Sequence, residues 1–317
     1  MIGLNRLELK ENRWGYSLPF QNLFSIFADA MVKDYLISDA SALIRPRVLD
    51  SHKGTYGHGL LLAGSNGMAG ASVMAARAAL RSGIGLLTVA APDCNRPILQ
   101  TSVPEAMMRP CGMVALGNVS SLDFSCYDAV AIGPGIGMSP QTADALRLVI
   151  ERTAALSIPL ILDADALNLL AKNASLFESL PSDTILTPHP GEFARLAPDL
   201  KELDRVQQAT SFVGQHPVTL VLKGYGTLVA TPDGRLTRNT TGNPGMATGG
   251  SGDVLTGILL ALRAQGVAAG DAARLATFVH GLAGDKAAAR VGQTALVATD
   301  IIASLPEAWK TLANNNV

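Results

Sequence analysis

This chain of 317 residues has few cysteines and no cysteine motif. That scarcity limits the classes of protein to which it can belong. Its three cysteines are Cys94, Cys111 and Cys126, and no CxxC or histidine spacing accompanies them. This odd number argues against a disulfide framework or a zinc site, and it predicts reduced, packed thiols in a cytoplasmic protein.

The sequence also lacks a charge excess and a long apolar stretch. Its formal net charge is −1 and it has no long basic run, so we expect neither nucleic-acid nor membrane binding. No segment reaches the roughly 18 uncharged apolar residues of a membrane-spanning helix. Proline and polar residues interrupt the apolar patch at 18–31, so a secretory signal peptide is not expected either.

The hydrophobic content of 48% is sufficient for one large core. Residues 1–50 show helical patterns and no strand pattern, with an amphipathic helix predicted at about 20–35. We therefore expect a helical N-terminal extension over 1–50 and one domain over 51–317.

Beyond residue 51, short apolar strands alternate with helical stretches. The predicted strands are 59–63, 86–90, 129–132, 160–162, 184–186, 219–222 and 227–230; the predicted helices are 71–81, 140–155, 165–171, 190–197, 202–215, 253–264 and 269–290. This alternation predicts a three-layer α/β fold with a mostly parallel central sheet between helices. A Pro-Asp-Gly turn at 232–234 predicts an antiparallel hairpin at one edge of the sheet.

A glycine-rich segment at 243–253 leads directly into the apolar helical pattern of 254–262. Glycines at a helix start let a ligand approach the backbone, where the unpaired N–H groups of the first turn can bind an anion. The candidate anion-hole residues are Gly250, Ser251 and Gly252. Asp253 follows them, and the residues alone leave open whether its carboxylate caps the helix or acts as a base. The spacing matches neither a Walker motif nor a dinucleotide fingerprint.

Five other loops with functional residue types follow predicted strands. They lie at 64–71, 133–137, 163–165, 187–192 and 223–227. Because parallel strands end at the same edge of a sheet, we expect these loops to converge with the 243–253 segment on one ligand site.

Together these segments resemble the ADP- or ATP-dependent NAD(P)H-hydrate dehydratases, a branch of the ribokinase-like superfamily. The resemblance covers roughly 51–310, and its most specific motif is Thr187-Pro-His-Pro-Gly-Glu192. The Gly-Gly-Ser-Gly-Asp run that ends at Asp253 is also found in sugar and vitamin kinases of the superfamily. The resemblance therefore implies a ribokinase-like fold and a nucleotide-dependent enzyme.

The implied reaction repairs nicotinamide cofactors whose ring has been hydrated, NADHX and NADPHX. ADP or ATP, with Mg²⁺ as cofactor, phosphorylates the ring hydroxyl, and phosphate is then expelled. Many relatives carry a preceding epimerase domain, which 50 leading residues could not house, so we expect no epimerase activity. Relatives also tend to form tetramers, so we expect a homo-oligomer; helix 269–290 could pack between subunits or within the chain.

The resemblance also implies a role for individual residues. Asp253 would be the general base. The residues implied to contact the hydrated substrate are Ala71, Gly135, His189 and Asp253. The residues implied to hold the nucleotide are Lys223, Gly224, Tyr225, Gly226, Thr227 and Gly252.

Several of these residues have a structural alternative. His189 could be a structural histidine, and Lys223 a solvated side chain at a strand end. Glu192, Asp163 and Asp165 could hold magnesium, but we expect helix caps at all three, so no metal ligand is assigned.

Two other functions use the same features. A sugar or vitamin kinase of the superfamily would employ the same base and anion hole but release a stable phosphate ester. A nucleotide-binding protein without turnover is the third alternative, although an intact Asp253 argues against it.

Overall fold

Ten strands form one sheet within residues 32–316, the part of the chain that the computed structural model describes. The strands are β1 Lys33–Tyr35, β2 His58–Leu62, β3 Leu86–Ala91, β4 Met107–Pro110, β5 Ala129–Ile132, β6 Leu160–Leu162, β7 Ile185–Leu186, β8 Thr219–Leu222, β9 Leu228–Ala230 and β10 Leu236–Asn239. The α-helices are α1 Ile37–Ser41, α2 Ala69–Arg81, α3 Arg96–Ser102, α4 Pro140–Leu156, α5 Asp165–Lys172, α6 Pro190–Leu196, α7 Arg205–Gln215, α8 Ser251–Ala264, α9 Ala269–Val291 and α10 Ala298–Asn314.

The sheet has the order β1-β10-β9-β8-β7-β6-β5-β2-β3-β4. All neighbours are parallel except β9, which is antiparallel to both β8 and β10. This confirms the mostly parallel α/β sheet and the predicted hairpin. The chain runs from β2 outward to β4 and then returns to β5 on the other side of β2. The strand order therefore reverses between β2 and β5, where ligands bind in open α/β sheets.

The core consists of two apolar layers, one on each face of the sheet. Leu61, Ala131 and Ile161 pack into the layer with α2, α8, α9 and α10. Their strand neighbours Leu60 and Ile132 point into the layer with α4 to α7. Because successive strand residues point to opposite faces, this alternation yields the predicted three layers.

The expected helix at 20–35 is wrong at its end, where Lys33–Tyr35 form the edge strand β1, parallel to β10. The remainder of that helix lies outside the described residues. Tyr35 is only 5% exposed and packs edge-to-face on Phe278 of α9, with ring centroids 5.9 Å apart. Pairing with a sheet edge and burial against a distant helix override local helical preference here.

Besides β1, three further elements, β4, α3 and α10, were not expected from the sequence pattern. Helix α10 contains Pro306 in its interior, where proline normally signals a helix break. Its buried Ile301, Leu305 and Leu312 hold it against the core despite this signal. No helix in residues 32–316 has the length and apolar character needed to cross a membrane.

Candidate active site

The loops that follow β2, β5, β6, β7 and β8 meet at one edge of the sheet, because these strands are parallel and adjacent. Direct contacts join the loops: Gly64 N–H donates to the Pro134 carbonyl at 2.8 Å, and Lys223 N–H donates to the Pro188 carbonyl at 2.9 Å. Gly133 has no room for a side chain against the Asp163 backbone. The predicted convergence is therefore confirmed.

Asp253 lies in the first turn of α8, which begins after Gly250 in the left-handed conformation, with φ of 90°. Among the described residues no side chain caps this helix start, and Asp253 forms no capping box there. The cap alternative therefore finds no support. Burial, reinforced by the negative charges of Asp163 and Asp165, raises the pKa of Asp253 to about 7, although Lys223 opposes the rise. Such a group accepts protons near neutral pH.

Lys223 and Asp163 form a buried ion pair beneath Asp253. The distance from Lys223 Nζ to Asp163 Oδ1 is 2.8 Å, and the two side chains are 19% and 2% exposed. Thr187 and Thr256 also donate their hydroxyls to the Asp163 carboxylate, each at 2.7 Å. Burial alone would raise the pKa of Asp163, but the Lys223 charge and these hydrogen bonds hold it below its ordinary value.

The expected caps at Asp163 and Asp165 are therefore wrong, and the structural alternative for Lys223 is excluded. Lys223 is not a solvated lysine, and Asp163 caps no helix because its carboxylate is engaged by Lys223 and two threonines. Asp165 does not cap α5 either: its Oδ2 accepts the Gly137 N–H at 2.8 Å, and the N-cap residue is Ala164. The local sequence at Asp163 and Asp165 is typical of a helix cap. In the folded protein, however, both carboxylates bind groups on other segments of the chain.

The Lys223 ammonium also lies at the start of α8. A Cβ atom added at Gly252 would be 3.4 Å from Lys223 Nζ and 3.9 Å from Asp163 Oδ2. The absence of a side chain at Gly252 thus keeps open the space between the ammonium and the helix N–H groups. A positive charge next to the unpaired N–H groups of a helix start is suited to a phosphoryl group.

The loop from Lys223 to Thr227 is shaped by Arg205, which sequence analysis did not identify. The Arg205 guanidinium donates to the carbonyls of Leu222 at 2.8 Å, Lys223 at 3.2 Å and Tyr225 at 2.7 Å. Within the loop, the Thr227 hydroxyl donates to the Gly224 carbonyl at 3.0 Å. Gly226 takes the left-handed conformation, with φ of 58°, and the Tyr225 side chain is 97% exposed.

His189 and Glu192 form a reciprocal cap at the start of α6. His189 Nδ1 accepts the N–H groups of Gly191 at 3.0 Å and Glu192 at 3.3 Å, and Glu192 Oε2 accepts the His189 N–H at 2.8 Å. The expected cap role of Glu192 is confirmed. His189 has a structural role as well, yet half of its side chain remains exposed and available to a ligand.

Ala71 and Gly135 lie on either side of the reversal between β2 and β5. A Cβ atom added at Gly135, whose φ is 62°, would be 3.0 Å from the Ala71 Cβ. Met74, one turn beyond Ala71, fills the space next to Gly250. The structure thus brings the two predicted substrate contacts together, one helical turn from the residue that packs against Gly250.

His280 of α9 is a further residue at the anion hole that sequence analysis missed. Its Nε2 lies 3.3 Å from the Ser251 hydroxyl. Burial and the Lys223 charge lower the pKa of His280 to about 4, so its ring is neutral near pH 7. A lone histidine in the otherwise apolar middle of 269–291 was the available signal.

Comparison with known proteins shows the family to which the chain belongs. A family model for NAD(P)H-hydrate dehydratase matches residues 59–307. The bifunctional NAD(P)H-hydrate repair enzyme Nnr of Moorella thermoacetica is 41% identical over 277 residues, which are 84% of this chain and 52% of that protein. The chain thus spans about half the length of curated relatives of this kind.

Solved structures show the same similarity. The ADP/ATP-dependent NAD(P)H-hydrate dehydratase of Bacillus subtilis, co-crystallised with ATP and Mg²⁺, superposes with a TM-score of 0.77 and 32% identity, covering 89% of this chain and 99% of that one. A ribokinase-like superfamily protein of Enterococcus faecalis superposes with a TM-score of 0.80 and 28% identity, covering 94% and 99%. The chain has a ribokinase-like fold and belongs to the NAD(P)H-hydrate dehydratase family.

Proposed function

We propose that this protein dehydrates NADHX and NADPHX to NADH and NADPH, with ADP or ATP as co-substrate. The observation that carries the proposal is the uncapped start of α8, where Asp253, with a pKa raised to about 7, stands beside the Lys223 ammonium. A base next to a phosphoryl-binding helix start is what transfer of a phosphoryl group to a hydroxyl requires. Family membership supports the choice of substrate.

The first step is phosphorylation of the ring hydroxyl. Asp253 accepts the hydroxyl proton while the oxygen attacks the terminal phosphorus, and the bond to the departing nucleotide breaks. Backbone N–H groups of Gly250, Ser251 and Gly252, together with Lys223, stabilise the charge on the phosphoryl oxygens. In the second step the ring C–O bond breaks, and phosphate leaves with its electron pair. Loss of a proton from the adjacent ring carbon then restores the double bond.

The two ligands occupy opposite sides of Asp253 in this proposal. The hydrated ring lies towards His189, whose imidazole is half exposed, and towards Ala71 and Gly135, which pack closely against each other. The adenine nucleotide lies along the loop supported by Arg205. Its contacts are Lys223, Gly224, Tyr225, Gly226, Thr227 and Gly252.

Magnesium would be held mainly by the nucleotide phosphates and by water, as is usual for this ion. Residues 32–316 contain no cluster of three or more histidine, cysteine or acidic side chains suited to a metal. Asp165 accepts a described hydrogen bond only at Oδ2 and could contribute its Oδ1, whereas both oxygens of Asp163 are engaged by Lys223, Thr187 and Thr256. This donor set fits Mg²⁺, whose bound charge would offset that of the phosphates.

The test follows the dihydronicotinamide absorbance after hydrated NADH is mixed with the protein and each nucleotide. We expect NADH and inorganic phosphate in a one-to-one ratio, with hydrated NADPH behaving likewise. A stable phosphate ester from sugars or vitamins, with hydrated NADH unchanged, would instead identify a small-molecule kinase. Nucleotide binding without any product would identify a protein without turnover.

We also propose a homotetramer in the cytoplasm. The free thiols of Cys94, Cys111 and Cys126 support a reducing compartment. Helix α9 is largely buried within the protomer, so the expected alternative of packing between subunits is not its main role. Light scattering of the purified protein would measure its mass, and a monomeric value would contradict the tetramer.

A further inference from the structure

A groove of about 440 Å³ lies between α5 and α6, next to the candidate active site. None of the residues that line it has a role in the site described above. Its lining includes Met138, Asn168, Ala171, Lys172, Arg195 and Pro198.

The groove begins at the mouth of the active site. Met138 directly follows Gly137, whose N–H donates to Asp165 at the start of α5. At Gly191, a Cβ atom would be 3.0 Å from the His189 imidazole and 3.9 Å from Arg195 Nη1. The Arg195 guanidinium and the His189 ring therefore flank the same glycine, and a ligand on His189 can extend into the groove.

Two positive charges line the groove. Arg195 donates its Nε to Asn168 Oδ1 at 2.8 Å, which fixes the arm of the guanidinium and directs its other N–H groups away from that bond. Lys172 is the last residue of α5, about 10 Å along the helix from Asp165 at 1.5 Å per residue. No lining residue is acidic, and within residues 32–316 neither cation forms a salt bridge.

The rest of the lining is mostly apolar, with Met138, Ala171 and Pro198 as its principal apolar side chains. A concave apolar surface with a few placed cations suits a flat aromatic base that carries phosphates. The helices set the order of these groups: His189 lies at the start of α6, Arg195 lies in its last turn beside Asn168, and Lys172 ends α5.

We propose that this groove binds the adenosine half of the hydrated dinucleotide, an inference that rests on the proposed function. Arg195 contacts the pyrophosphate next to the nicotinamide end, and the adenosine packs on the apolar floor. Lys172 contacts the ribose 2′-phosphate that distinguishes NADPHX from NADHX. The co-substrate nucleotide stays on the other side of Asp253, along the loop of Lys223.

Steady-state kinetics of single variants test this assignment. Lys172→Gln should raise KM for hydrated NADPH about tenfold and leave KM for hydrated NADH nearly unchanged, because only the former has a 2′-phosphate. Arg195→Gln should raise both KM values about tenfold with kcat nearly constant. Arg152→Gln, an exposed arginine of α4, is the matched control and should change neither.

A second measurement does not depend on turnover. With the nucleotide site saturated by ADP, calorimetry should show that adenosine 2′,5′-bisphosphate binds the wild type about tenfold more tightly than Lys172→Gln. Equal KM changes for the two substrates, or equal affinities for the bisphosphate, would overturn the groove assignment and leave the proposed function standing. Absence of turnover by the wild type would contradict the proposed function, and the bisphosphate titration would still decide the groove.

Discussion

At the scale of single residues, the functional centre depends on how the carboxylates of Asp163, Glu192 and Asp253 are arranged around the Lys223 ammonium. Asp163 holds the Lys223 ammonium at 2.8 Å, so its own negative charge is compensated. Within residues 32–316 Asp253 has no such direct partner, and it faces the charges of Asp163 and Asp165 while partly buried. Asp163 is therefore ionised at neutral pH, whereas Asp253 is left close to its midpoint, as a general base should be.

Replacing Asp253 by asparagine should lower turnover by at least about a hundredfold, because the hydroxyl proton loses its acceptor. In the wild type, kcat/KM should rise with pH and level off above about 7, where Asp253 is deprotonated. Rate measurements from pH 5 to 9 check both statements. A variant with a rate near that of the wild type would remove Asp253 from the mechanism.

The same substitution should stabilise the fold at pH 8. The pKa of Asp253 is raised from 3.8 in the unfolded chain to about 7, so ionisation of the carboxyl progressively lowers stability between these pH values. The full cost applies above pH 7 and is at most about 4 kcal/mol, reduced by partial exposure. Thermal unfolding should show a higher Tm for Asp253→Asn at pH 8 and none of this gain below pH 4. Asp144→Asn on the exposed face of α4 is the control.

At the scale of elements, side chains in the helices that follow the strand-end loops, or at their starts, fix the conformation of these loops through hydrogen bonds. His189 closes the start of α6 through Nδ1, so this side chain combines a cap with a proposed substrate contact. Arg205 of α7 plays a comparable part for the loop after β8 by donating to its carbonyls. Substitutions at either loop must therefore separate structural effects from ligand effects.

Two variants make that separation at His189. His189→Ala should lower stability by about 1 kcal/mol through loss of the cap, and it should also raise KM for hydrated NADH. His189→Asn keeps an acceptor suited to the N-cap position and removes the imidazole, so it should retain stability and still raise KM. Thermal unfolding and kinetics of both variants provide the measurement. Wild-type kinetics in His189→Asn would assign the residue a purely structural role.

Gly224→Val should weaken nucleotide binding at the loop after β8. Gly224 has φ of 146°, which disfavours a branched side chain, and a Cβ atom there would meet the Arg205 guanidinium at 3.0 Å. We expect the nucleotide KM to rise about tenfold or more, while hydrated NADH binding is largely retained. Titration of both ligands checks this, with Gly234→Ala in the β9–β10 turn as the control for a strained glycine. An unchanged nucleotide affinity would place that site elsewhere.

At the scale of the whole molecule, β1 joins the N-terminal segment to the same sheet that carries the site. Strand pairing extends the sheet beyond β10, and Tyr35 connects it to α9, the helix that also carries His280. Residues 33–41 are therefore part of the folded structure and not only a lead-in to it.

Two substitutions at Tyr35 measure this attachment. Tyr35→Ala removes a ring that is 5% exposed and should destabilise the protein by about 3 kcal/mol or more. The buried Tyr35 hydroxyl has no hydrogen-bond partner among the described residues, so Tyr35→Phe should leave stability unchanged or raise it. Denaturant unfolding of both variants checks the pair. A loss of stability in Tyr35→Phe comparable with that in Tyr35→Ala would show that the hydroxyl, not the ring, holds the strand.

The sequence by itself determined the features that depend on short stretches of chain. Apolar strands such as Ala129–Ile132, the turn at 232–234 and the glycine-rich start of α8 follow from local periodicity and backbone preference. The motif Thr187-Pro-His-Pro-Gly-Glu192 was sufficient for the family, and alternation of the elements predicted three layers and a shared edge for the loops.

Only the tertiary structure decided which groups meet there and with what charge. Asp163 and Lys223 are 60 residues apart in the chain, and His280 reaches Ser251 across 29. No local pattern encodes such contacts. A helix cap was therefore expected at Asp163, and a solvated side chain remained an alternative for Lys223. The pKa of Asp253 likewise depends on burial and on neighbouring charges, which exist only when distant segments have packed together.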